Sequence, residues 1–98
     1  MTLTVQFTDP DLRSTCNSAD AIRREWGDAA PDVRTSLLVL AECADLEAYG
    51  RLPNVTPDGD LTVFKGANAV VVLELRPTGP PPGVVIREID VRVLGGVA

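Results

Sequence analysis

Apolar positions repeat with two different periods along this chain, and the change of period divides it in half. In "LTVQFT", residues 3 to 8, Leu3, Val5 and Phe7 alternate with polar neighbours, which predicts a short strand. Asp9-Pro10 should end it, because aspartate is a good helix N-cap and proline suits the first helical position. Leu12, Cys16, Ala19, Ile22 and Trp26 follow at spacings of three and four. They form one apolar stripe that either runs unbroken or bends near Asn17 and Ser18, and Gly27 closes it. Asp28 can cap a second helix, with Pro31 in its first turn and Val33, Leu37, Leu40 and Ala44 as its buried stripe, widened by Leu38 and Val39. "SLLVL" alone would suit a buried strand, but its flanks have helix composition and supply helix length. A short turn at "DLEAYG" closes the helical half.

From residue 51 the period drops to two. "RLPNVTPDGD" is rich in turn residues, with an Asp58-Gly59 pair that suits a hairpin turn or loop. "LTVFKG", "AVVVLELR" and "VVIREIDVRVL" are three β-rich runs, joined by a tight connection at Gly66-Ala67-Asn68 and by the "PTGPPPG" loop. If Arg76 faces Val84 across that loop, Val72 faces Glu88, Val70 faces Asp90 and Asn68 faces Arg92 on one side of the sheet. Leu75, Leu73 and Val71 then join Val85 and Ile89 on the other side, where Arg87 is the odd charge. A two-residue turn at Gly66-Ala67 or Ala67-Asn68 sends Phe64 to the side of Val71 and Lys65 to the side of Asp90 and Arg92. The expected fold is therefore α+β: one domain over residues 1 to 98, ordered strand, two helices, then three or four strands. Its sheet is antiparallel, with the helices packed on one face.

Composition narrows the chemistry. The chain has 98 residues and 45% hydrophobic content, enough for one core. Nine Lys and Arg against fourteen Asp and Glu give a formal charge of −5, which argues against a surface built throughout for phosphates but leaves room for a local basic patch. There is no histidine, so zinc centres and His-based triads are not expected, and neither is a cofactor. Cys16 and Cys43 are far apart in sequence and read as free, buried thiols. "MTLTVQFTDP" has no charged start followed by a long apolar run, and no membrane-length apolar stretch occurs, which leads us to expect a soluble, cytoplasmic chain.

In order and spacing, "DLRSTCNSADAIRREWG", "VRTSLLVLAECADLEAYGRLP", "LTVFKGANAVVVLELRP" and "IREIDVRV" resemble the RelE/ParE toxin superfamily, most closely its HigB-like branch. The resemblance runs over nearly the whole chain and implies the toxin half of a bacterial type II toxin–antitoxin pair. HigB-like and RelE-like members cut messenger RNA on the ribosome, whereas ParE-like members act on DNA gyrase. The resemblance further implies an endoribonuclease in which a ribose 2′-hydroxyl attacks the adjacent phosphate, with basic side chains neutralising the phosphorane. Carried over by position, Asp90 matches the aspartate of the family's final D-Y-H type ending, Val91 stands for the aromatic and Arg92 for the histidine. A guanidinium holds a phosphate but does not shuttle protons at neutral pH. Where the family has an "HxLKGDR"-like stretch, this chain reads "NVTPDGD", and the usual arginine of the next strand falls at Val70.

The candidate catalytic residues are thus Lys65, Asp90 and Arg92, with Arg51 and Arg76 as candidate substrate-binding cations. The resemblance implies a DNA-binding antitoxin as partner, and the ribosome and mRNA as targets. Two other readings stand beside it. One is a toxin-fold protein that acts by binding another protein, such as gyrase, or is catalytically degenerate. The other is an unrelated α+β interaction module, in which Glu88, Asp90 and Arg92 are a solvated ladder of cross-strand ion pairs.

Overall fold

In the computed structural model, which describes residues 3–93, Thr4–Phe7 form strand β1. Asp9 caps the next helix as its sequence suggests: its carboxylate accepts the Asp11 amide at 2.9 Å, and Pro10 opens helix α1, Pro10–Cys16. The apolar stripe then bends where it was free to. Ser18 starts a separate helix α2, Ala19–Trp26, by accepting the Ala21 amide at 3.3 Å. Gly27, at φ +57°, makes the turn into a short 3-10 segment.

Helix α3 spans Ala30–Glu42. Asp28 does not cap it; the 3-10 segment leads directly into it, and no side chain caps its first turn. Its buried positions are Ala30, Asp32, Val33, Ser36 and Leu40. Leu38, expected to widen the buried stripe, is 54% exposed, and Ala44 lies beyond the helix end. Ser36 tolerates burial because its hydroxyl donates to the Val33 carbonyl at 2.7 Å. The turn at "DLEAYG" is helix α4, Leu46–Gly50, capped by Asp45.

Four strands follow: β2 Val55–Asp58, β3 Leu61–Lys65, β4 Ala69–Thr78 and β5 Gly83–Val93. Leu94, the last residue of the expected final strand, lies outside the described residues. The sheet order is β1-β5-β4-β3-β2. Neighbours from β2 to β5 are antiparallel, but β1 runs parallel to β5, so the expectation of an antiparallel sheet is corrected: the sheet is mixed. The helical half acts as the long crossover that a parallel neighbour requires. The "DGD" turn centres on Gly59-Asp60 rather than Asp58-Gly59, with Gly59 at φ +61°, at the first central position.

The β4–β5 register also differs from the expected one. Val70 faces Arg92, Val72 faces Asp90 and Glu74 faces Glu88, two residues along from the sequence-based pairing. The loop contributes one residue of the shift, because pairing continues to Thr78 opposite Gly83. The second comes from Arg87, an extra residue in β5 between the Glu74–Glu88 and Leu75–Ile86 pairs. This bulge explains the odd arginine. Val84 and Ile86, not Val85, are buried before it, Ile89 and Val91 pack on the core after it, and Arg87 itself is exposed.

The core lies between the helices and one sheet face, built from Val33, Leu40, Tyr49, Val71, Leu73 and Ile86, all fully buried. Among the described residues no helix is long and apolar enough to cross a membrane. Burial pushes the Cys16 thiol up to about 11 from 9.0, and raises the Tyr49 phenol as well. Folding favours both neutral forms; the Cys16 contribution is complete below pH 9.0 and is lost as pH rises toward about 11, whereas that of Tyr49 starts to be lost only above pH 10.0. Denaturant titrations should therefore show stability falling above pH 9.0, with a shallower fall in Cys16→Ala than in the wild type. Equal slopes would contradict this.

Candidate functional site

The sheet face away from the helices is open. On it, Lys65 of β3 is opposite Val70 of β4, and Val70 is opposite Arg92 of β5, so the two cations flank one valine in a row. Asp90 sits one step along, opposite Val72, and its Oδ2 lies 4.0 Å from Arg92 Nε. The structure thus brings Lys65, Asp90 and Arg92 to one place on the open face. Both partners of the Arg92–Asp90 pair are largely exposed.

The two substrate-binding candidates are elsewhere. Arg76 lies opposite Val85 beyond the bulge, six residues up β4 from Val70, roughly 20 Å at strand rise. Arg51 caps the end of α4 and is bound to Glu47 one helical turn back. Neither lines the concavity beside Arg92.

That concavity has a volume of about 410 Å³. Its floor is apolar: Leu61 and Val63 from β3, Val70 and Val72 from β4. Leu61 is 39% exposed, high for a large apolar side chain in a sheet. The rim holds Glu74, Glu88 and Asp90 against Arg92, three carboxylates to one guanidinium. Glu74 and Glu88 face each other directly, a like-charge pair relieved by Arg87, whose Nε is 4.0 Å from Glu74 Oε2. Such a surface repels a polyanion over most of its rim; its cations are Lys65 and Arg92 at one end and Arg87, held against Glu74, at the other.

What holds that end in place escaped the sequence reading. Asp32, in the first turn of α3, is 7% exposed and reaches across to the β3–β4 turn. Its Oδ1 accepts the Ala67 amide at 3.1 Å and its Oδ2 the Asn68 amide at 2.8 Å. The turn is the two-residue Ala67-Asn68 option, closed by Gly66 donating to the Ala69 carbonyl at 2.8 Å. Only glycine fits at position 66, since a Cβ there would stand 2.3 Å from Asp32 Cγ. The apolar floor had left a sequence signal: the unbroken "AVVV" run puts valine on both faces of β4, more than a wet face needs.

Other reactive groups give the site no nucleophile. Burial raises the Cys16 thiol, and burial followed by Asp45 and Glu42 raises Cys43, so both stay protonated at neutral pH. Among the described residues no three Cys, Asp or Glu side chains gather as a metal-binding group. Comparison with known proteins finds no protein family, no curated protein and no solved structure that matches this chain.

Removing the Asp32 carboxylate leaves two amides of the turn without an acceptor, so Asp32→Ala should cost roughly 2–4 kcal/mol in chemical denaturation. Gly66→Ala should also destabilise, by about 1–3 kcal/mol of overpacking. Arg92→Ala should change stability by less than about 1 kcal/mol, because its ion pair is exposed. An Asp32→Ala protein as stable as wild type would rule out the bridge.

Proposed function

We propose that this protein is a RelE/ParE-like toxin-fold member that acts by docking on another protein through its open sheet face. The observation that carries this reading is the concavity's apolar floor ringed by three carboxylates and one guanidinium. Apolar floors with polar rims suit protein contacts, whereas a surface for RNA concentrates cations along the backbone path. On this reading the natural partner is a DNA-binding antitoxin encoded beside it, and the target is a protein such as gyrase.

Ribosome-dependent cutting of messenger RNA is the second reading, favoured by the Lys65–Val70–Arg92 row. There Lys65 and Arg92 would neutralise the phosphorane, and the chemistry would lack a side chain that exchanges protons near neutrality.

Induced expression in bacteria, with and without the neighbouring gene, combined with mapping of mRNA 5′ ends, separates the two. Growth arrest with intact mRNA, relieved by the neighbouring gene and lost in Val63→Asp, is the result expected. Ribosome-dependent cuts that fall about 10²–10³-fold in Arg92→Ala would replace it with the second reading. No arrest under either condition would overturn both.

A further inference from the structure

The two edges of the sheet are not equivalent. At the β2 edge the outward-facing residues are Val55 and Pro57, because Asn54 and its alternates bond to β3. Val55 donates its amide to Leu52 at 3.0 Å, and Pro57 has none. This edge offers no free amide to a new strand.

The β1 edge is different. Thr4 donates to Pro82 and Thr8 to Ile86, so the alternation of a parallel ladder turns Thr4, Gln6 and Thr8 toward β5. Leu3, Val5 and Phe7 face outward. Leu3 is taken by the Cys43 carbonyl at 2.9 Å, but among the described residues no strand pairs with Val5 or Phe7 on that side. "TVQF" carries no proline, charge or bulge to protect it.

Beside this edge lies a groove of about 380 Å³, with Val5, Gln6 and Phe7 on the strand wall and Arg13 and Asn17 on the α1 side. Arg13 is its one charge, and among the described residues no carboxylate lies within ion-pair distance of it. A second copy seated here by two-fold symmetry would bring two such arginines into the same shared junction.

We infer that the β1 edge and the α1 wall form a docking groove for an extended peptide segment of a partner protein, added as a sixth strand, with a carboxylate of that segment on Arg13. The segment's carbonyls accept the Val5 and Phe7 amides, and Asn17 offers an amide side chain to its exposed polar groups. The site is independent of the open-face reading, since β1 contributes no residue to the concavity, which is lined from β3, β4 and β5.

The test is an NMR titration of the whole chain with the peptide TVTVD, acetylated at its N-terminus and amidated at its C-terminus so that the aspartate is its one carboxylate, and with its lysine-ended counterpart TVTVK blocked in the same way. The aspartate peptide should slow hydrogen exchange of Val5 and Phe7 about tenfold at saturation and leave Gln6 unchanged. Arg13→Glu should weaken that peptide about 10- to 100-fold and favour the lysine peptide. Val5→Pro, which deletes an outward amide, should abolish both. Perturbation confined to residues off β1, equal affinity for the two peptides, or no response of Val5 and Phe7 would overturn the proposal. Arg13→Glu, an exposed helix-surface change, keeps the test valid where Val5→Pro does not fold.

Discussion

One buried carboxylate joins the two layers at the end of the sheet where the candidate residues gather. Asp32 leaves the first turn of α3 and accepts two consecutive amides of the β3–β4 turn, at 3.1 Å and 2.8 Å. Charge-assisted bonds of this kind are each stronger than a neutral one, and here both are directed at backbone that has no other acceptor in the sheet. The consequence extends past the turn. Lys65 immediately precedes it and Val70 immediately follows it, and Val70 sets the distance between Lys65 and Arg92. The packing at Gly66, too tight for any Cβ, fixes the approach of helix to hairpin.

With the hairpin fixed, the character of the open face follows from strand alternation and a single bulge. Leu61, Val63, Val70 and Val72 share that face because each occupies the same phase of its strand. The bulge at Arg87 lets Ile86 and Ile89 point to the same core while Glu88 and Asp90 point outward together. Carboxylates thereby collect around an apolar floor, with Lys65 and Arg92 at one end and Arg87 beside Glu74 at the other. A phosphorane needs several cations converging on one point, and a protein partner needs desolvated apolar area with a polar rim. The geometry of this face meets the second requirement more fully than the first.

Local signals were legible in the sequence where local chemistry decides the outcome. Asp9-Pro10 starts a helix through a bond made two residues on, and period-two runs mark strands β3 to β5, whereas the caps at Ser18 and Asp45 went unread and Asp28, an equally good local cap, does not act as one. Placement of Lys65, Asp90 and Arg92 on one face was also readable, because their phase survives a slip of two residues. The register itself was not, since it depends on how far pairing runs into the proline loop and on one extra residue in β5. Nor was the Asp32 bridge, which joins residues 35 and 36 positions apart and has no sequence pattern. The parallel placement of β1 is likewise a choice between sheet edges made by the whole helical layer.

The proposed protein-docking role of the open face excludes specific binding of single-stranded RNA there. Titrating the isotope-labelled protein with a single-stranded RNA oligonucleotide at about 0.15 M salt, where only short-range charge contacts persist, tests it most directly. No saturable shift is expected at the amides of Val63, Val70, Val72 and Arg92. Saturable shifts centred on Lys65, Val70 and Arg92, lost in Arg92→Ala, would contradict it.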